Sequence, residues 1–229
     1  MVLVLFFVSL FFLSCSDFER DNPCDEGGIN FDPTNLDCIV NYELPSVVYS
    51  GPYGSLPYEG QTYKTVVIGT QTWMAENLNY DVSGSKCYGN SSANCDKYGR
   101  LYDWPTAMGF ETEQRGVCPA GWHIPSDAEW NVMMTVIGGS SAAGARLKAA
   151  KGWNKNGNGN DQFGFSALPG GYGSSSGSFD DVGYLGSWWS ATEGNAGNAY
   201  SRGMYYNNSI VGRDIIDKSF LRSVRCIQD

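Results

Sequence analysis

Histidine is almost missing from this chain: His123 is the only one in 229 residues. A zinc site built on paired histidines is therefore excluded, and no CxxC pair stands in for it. A Cys/His or Ser/His nucleophilic dyad would have to use His123. Its neighbours Trp122 and Ile124 favour a structural imidazole, hydrogen-bonded beside a helix start. Basic residues are scarce as well, 15 Lys and Arg against 24 Asp and Glu, for a formal net charge of −9. Nucleic acid is then not an expected partner, because its phosphates need basic patches. Anionic lipid heads are not attracted either. No apolar run reaches the roughly 20 residues of a bilayer-spanning helix, and no internal repeat appears.

The longest apolar run, residues 1–13, reads as the core of an export signal rather than a membrane anchor. Phe12-Leu13-Ser14-Cys15 resembles a bacterial lipobox, in which the cysteine carries the lipid and becomes the mature N-terminus. Expected boundaries are a signal peptide over 1–14, a lipidated acidic spacer over 15–59 and a single domain over 60–229. An ordinary cleaved signal with an incidental cysteine is the alternative. The spacer is rich in Asp, Asn, Pro, Gly and Ser and ends in an extended tether over 45–57. About 170 residues remain, enough for one core.

That domain is organised around residues 116–139. Ser126 followed by Glu129 is a capping box, which predicts a helix start. Trp130, Met133, Met134 and Ile137 then fall on one face, and Gly138-Gly139 ends the run. A second helix is expected over 142–151, with Leu147 as its main apolar contact. Residues 63–68 and 71–78 read as a hairpin around Gly69-Thr70. Beyond residue 152 helical periodicity is absent, and short strands are expected at 164–168, 188–192, 199–206 and 220–227.

The segment GVCPAGWHIPSDAEW at 116–130 carries a resemblance. With KTVVIGTQTWMAENLNY at 64–80, YGRLYDWPTAM at 98–108, FGFSALPGGY at 163–172 and GSWWSATE at 186–193, it identifies the chain as a member of the Fibrobacter succinogenes major paralogous domain family. The resemblance implies a secreted or surface protein with a C-type-lectin-like or sulfatase-modifying-factor-like fold. The expected class is α+β: two helices beside a small mixed or antiparallel sheet, with long loops held by disulfides.

Seven cysteines occur. Setting Cys15 aside leaves an even number in an exported chain, which suggests disulfides. Six cysteines allow 15 pairings; the spacings favour Cys24–Cys38 and Cys87–Cys95 as local loops and Cys118–Cys226 as a long-range staple. Formylglycine-generating enzymes, which the family's fold resembles, use a reactive cysteine pair near the domain's end. Only Cys226 lies there, so no catalytic residue is expected and the chain reads as non-enzymatic.

Two further constellations remain. The run NKNGNGND at 154–161 offers amide and carboxylate oxygens, and Asn156, Asn158 and Asp161 are the candidate calcium ligands. A plain turn with no cofactor is the competing reading. The aromatic residues of the glycine-rich half are the other constellation, with Tyr172, Trp189 and Tyr205 as candidate ligand-binding rings. Exposed rings beside polar groups suit sugar faces, although a loop-rich domain also needs aromatics to fill its core. In a strand, alternation sends one of Trp188 and Trp189 inward and the other outward. The expected function is adhesion or recognition of glycans or a surface partner, at the outer membrane or cell surface and anchored through the lipid. A structural envelope protein without a small ligand is the alternative, and a formylglycine-generating-type enzyme comes third.

Overall fold

In the computed structural model the described residues are 49–109 and 115–229. The signal-like run, Cys15 and the expected Cys24–Cys38 pair lie outside them. From residue 54 onward the chain meanders through β1 (Gly54–Tyr58), β2 (Gln61–Ile68) and β3 (Gln71–Met74). Each turn has two residues, with Tyr58 opposite Gln61 and Ile68 opposite Gln71. Glu59 and Gly60 both take positive φ (47° and 75°), the twist that lets a two-residue hairpin close without splaying its strands. The stretch expected to be a free tether therefore supplies an edge strand, and Pro57 is tolerated there because an edge leaves its missing N–H unneeded.

The capping box forms as expected. Glu129 N–H donates to Ser126 Oγ at 3.2 Å, and the Ser126 N–H donates back to the Glu129 carboxylate at 2.7 Å. Four α-helices occur among the described residues: α1 (Ser92–Tyr98), α2 (Trp104–Met108), α3 (Asp127–Ile137) and α4 (Ser140–Leu147). All four apolar positions of α3 are buried. Gly138 closes the helix at φ 95°, a left-handed conformation that glycine takes without steric cost.

The glycine-rich half forms β6 (Tyr172–Gly173), β7 (Phe179–Asp180), β8 (Leu185–Asn195), β9 (Asn198–Tyr205), β10 (Val211–Asp217), β11 (Arg222–Ser223) and β12 (Ile227–Gln228). With β4 (Leu101–Tyr102) and β5 (Trp122–His123), they complete two five-stranded sheets, β1-β2-β3-β12-β5 and β10-β9-β8-β11-β4; β6 and β7 pair by themselves. Among the strands of the described residues, only β11 against β8 runs parallel. Residues 164–168 make no strand; Ala167 forms a single bridge to Lys148, and Ser166 sits at φ 51°.

The fold is mostly β, strand 34% against helix 19%, with one sheet curled into a half-barrel. This corrects the expected two-helix α+β arrangement beside a small sheet. The reason is the length of the strands that the glycine-rich half sustains, since β8, β9 and β10 together make a long continuous meander. Its centre is covered on both faces, and β8 is buried from Leu185 through Ser190. On one face Trp188, Met204 and Val211 join Trp73, Trp130 and Phe165 beneath α3 and α4. On the other, Trp189 and Ala199 join Met74, Leu78, Tyr102, Cys118 and Cys226. Each buried aromatic removes about 150–250 Å² from water, on the order of 4–6 kcal/mol at ~25 cal/mol per Å² before conformational entropy is subtracted.

Two disulfides lie among the described residues, Cys87–Cys95 and Cys118–Cys226, as their spacing favoured. The second ties β12 to the turn before β5 across a separation of 108 residues.

Candidate functional site

The second face of the β8–β9–β10 meander is only partly covered. Beyond Trp189 and Ala199 its side chains become small, and Ser187, Ser201 and Gly203 form the floor of a groove of about 290 Å³. A side chain at position 203 would begin to fill it: a Cβ there would stand 3.6 Å from Asp214 Oδ2 and 3.7 Å from Leu185 Cδ1. Tyr172 and Phe220 form one wall with their rings 6.1 Å apart. Tyr205, which is 45% exposed, stands at the rim, and Asp181 and Asp214 also line the groove.

Local structure fixes these groups. Gly173 and Leu221 exchange backbone hydrogen bonds at 3.0 and 2.8 Å, which holds β6 against the residue before Arg222 and so seats Tyr172 beside it. Lys148 Nζ donates to the carbonyls of Tyr205 and Asn208 at 3.1 and 2.9 Å, holding the turn that follows β9. Burial pushes that ammonium down to about 8, since among the described residues it has carbonyls and no carboxylate for company.

Arg222 is the unusual member. The residue is only 6% exposed. Its guanidinium carbon lies 4.7 Å from the centre of the Tyr172 ring and 5.8 Å from that of Phe220. Its buried Nε has no hydrogen-bond partner among the described residues, and a buried donor left unmade costs about 1–3 kcal/mol. Burial pushes its pKa down, against the favourable field of Tyr172, Tyr205, Asp214 and Asp181. Burial likewise raises the Tyr205 hydroxyl, and Asp214 adds to that shift.

Of the three rings expected to bind ligand, Tyr172 and Tyr205 meet at this groove and Trp189 does not. Trp189 is fully buried and donates its indole N–H to the Tyr102 carbonyl at 2.8 Å. Trp188 is buried too, so neither tryptophan points outward. Alternation holds, but the sheet has a core on both sides. Arg222, Asp214 and Phe220 were not expected; the available signal was the run of small residues alternating along β8 and β9.

The expected calcium ligands lie in different surroundings. Asn156 is exposed while Asp161 is buried. Asn158 Oδ1 accepts the Trp153 N–H at 3.0 Å, and both Asp161 oxygens are taken by the Ser166 N–H and hydroxyl at 2.6 and 2.5 Å. Burial raises the Asp161 pKa, with the Ser166 donors and Arg225 offsetting part of it. The run serves as a turn, with Lys155, Asn156 and Asp161 at positive φ. Among the described residues no group of three His, Cys, Asp or Glu is placed to hold a metal.

His123 borders a second, roomier cavity of about 750 Å³. Its Nδ1 lies 2.6 Å from Asp229 Oδ1 and its Nε2 lies 2.8 Å from Glu129 Oε1. Ser126 Oγ donates to Glu129 at 2.7 Å rather than facing the imidazole. The ring thus sits beside the helix start and is spent on two carboxylates.

The family model for the Fibrobacter succinogenes major domain matches residues 66–228. The chain belongs to that family. The match takes in both tryptophans, the Cys118–Cys226 pair and every groove residue named above, and leaves β1 outside. Neither a curated protein nor a solved structure matches the chain.

Proposed function

We propose that this chain is a non-enzymatic recognition module of the cell surface, anchored through a lipid on Cys15, that binds a glycan or a glycan-bearing partner in the groove of Tyr172, Tyr205 and Arg222. One observation carries the reading: two rings singled out as sugar platforms converge on a cavity lined by one buried cation, Arg222. Planar rings supply stacking surface, and a few placed polar groups supply orientation, as small-molecule sites do. The apolar start of the chain and the two disulfides support an exported location, where oxidised cysteine pairs persist. The pairing of Cys226 with Cys118 supports the non-enzymatic part, because it leaves no free thiol at the position a formylglycine-generating enzyme would use.

A glycan array probed with the full chain tests this. Binding that persists from about 0.15 to about 1 M salt and falls at least about tenfold in Tyr205→Ala and Tyr172→Ala supports the groove. Absence of glycan binding favours a structural envelope role, and binding unchanged in both variants places recognition elsewhere.

A further inference from the structure

We infer that the groove selects a neutral sugar with two adjacent hydroxyls, bridged between Arg222 and Asp214, and discriminates against acidic sugars. This rests on reading the groove as a glycan site and names the class of glycan it takes.

The argument is one of donors and acceptors. A guanidinium offers only donors and a carboxylate only acceptors, whereas a hydroxyl does both. Arg222, Asp181 and Asp214 share one cavity, and among the described residues Arg222 forms no ion pair with either aspartate, so the donors and the acceptors both remain free to serve a ligand. A carboxylate ligand would satisfy Arg222 but lie beside two like charges in a partly desolvated site. A cationic ligand would satisfy the aspartates and press against Arg222. A neutral diol satisfies all of them at once, accepting from the guanidinium and donating to the carboxylate. The rest of the cavity fits that occupant. The hydroxyls of Ser187 and Ser201 line the floor, Tyr172 and Phe220 offer ring faces to C–H surface, and about 290 Å³ lies at the lower bound of small-molecule sites, near 300 Å³, which suits one sugar ring rather than a long chain.

The full chain is titrated by calorimetry and ligand-observed NMR with glucose, galactose and mannose, and with glucuronic and galacturonic acids. Three proteins are compared: wild type, Asp214→Asn and Gly203→Val. Asp214 lies on an exposed edge strand, so its amide variant should keep the fold, which a melting curve checks. The expected result is that at least one neutral sugar binds and that the uronic acids bind at least about tenfold more weakly. Asp214→Asn should then weaken the neutral sugar and narrow the gap to the acids, and Gly203→Val, which fills the floor and leaves every charge in place, should remove binding of both. A preference for uronic acids, or neutral binding unchanged in Asp214→Asn, overturns the inference and leaves the groove as a glycan site. Binding that survives in a folded Gly203→Val protein, or no binding by any of the five sugars, overturns the glycan reading of the groove with it.

Discussion

Trp188 and Trp189 are consecutive in the chain and belong to different cores. Trp188 donates its indole N–H to Asn77 Oδ1 beneath the helices, and Trp189 donates to the Tyr102 carbonyl on the opposite face, each at 2.8 Å. The β8–β9–β10 sheet is thus the middle layer of the domain. Replacing either ring with alanine should cost about 3–5 kcal/mol. Phenylalanine should cost less, about 1–3 kcal/mol where it strands an acceptor, and least at Trp188, because Asn77 Oδ1 keeps the Arg225 Nε donor at 2.8 Å. Because the two side chains share no partner, a double-mutant cycle on the phenylalanine variants should show coupling below about 0.5 kcal/mol. Urea denaturation of the four proteins measures it, and a larger coupling means the two cores communicate through the sheet.

Asp127 holds the first turn of α3 to that sheet through two arginines. Arg202 Nη2, on a residue only 2% exposed, lies 2.5 Å from Asp127 Oδ1, and Arg213 Nε lies 3.0 Å from both carboxylate oxygens. Burial pushes Arg202 down, and Asp127 is its main counterweight. Asp127→Asn should therefore destabilise by about 3–5 kcal/mol, the range for stranding a buried charge. Arg213→Gln should cost far less, because that guanidinium meets water. Comparable losses from the two variants would show that the buried arginine is not the one that matters.

The disulfides should differ in value in the order of their loops. The chain-entropy model assigns about 5 kcal/mol to the loop closed by Cys118–Cys226 and about 2.5 kcal/mol to that closed by Cys87–Cys95. For a domain of this size these correspond to melting-point losses of about 10–20 °C and 5–10 °C. Calorimetry on the two paired Cys→Ala variants tests the order, and equal losses would mean that local packing decides rather than loop length.

What could be read ahead of the structure was local. Cap, apolar face and glycine stop all lie within 116–139, and α3 forms there. The hairpin around Gly69-Thr70 is equally self-contained. Cysteine parity narrowed the pairings because it depends on number and spacing alone. The groove was only half legible, since Tyr172 and Tyr205 stand out as aromatic residues while Arg222 and Asp214 reach the same cavity from β11 and β10. Val211–Asp217 does not look like a strand in isolation, since it carries Arg213, Asp214 and a glycine, and of the strand expected over 220–227 only Arg222–Ser223 and Ile227 pair. Trp189 was misplaced for a related reason. Alternation fixes which way each ring points, but only the tertiary packing of Tyr102 and the Cys118–Cys226 pair shows that both directions are interior.

His123 should give the domain a stability maximum in mildly acidic solution. Burial opposes its charge, yet hydrogen bonds to Asp229 and Glu129 outweigh burial and raise its pKa above the ordinary 6.5. Glu129 is affected in the opposite sense: burial would raise it, but the Ser126 N–H and hydroxyl, together with His123, hold it below the ordinary 4.5. A group whose folded pKa is raised contributes fully below its unfolded pKa and loses that contribution as pH climbs through the folded value. A group whose folded pKa is lowered contributes fully above its unfolded pKa and loses it on acidification. The clasp joining β5, the start of α3 and Asp229 is therefore complete between the ordinary values of 4.5 for Glu129 and 6.5 for His123. Above that window the imidazole sheds a proton and can donate to only one of its two carboxylates. Melting temperature followed from about pH 4 to pH 8 should decline on the alkaline side in the wild type, before loss of the Lys148 proton near 8 begins to add stability, and His123→Gln should flatten that limb while leaving the acidic limb of Glu129 in place. An alkaline limb of unchanged slope in His123→Gln would assign the pH dependence to another group.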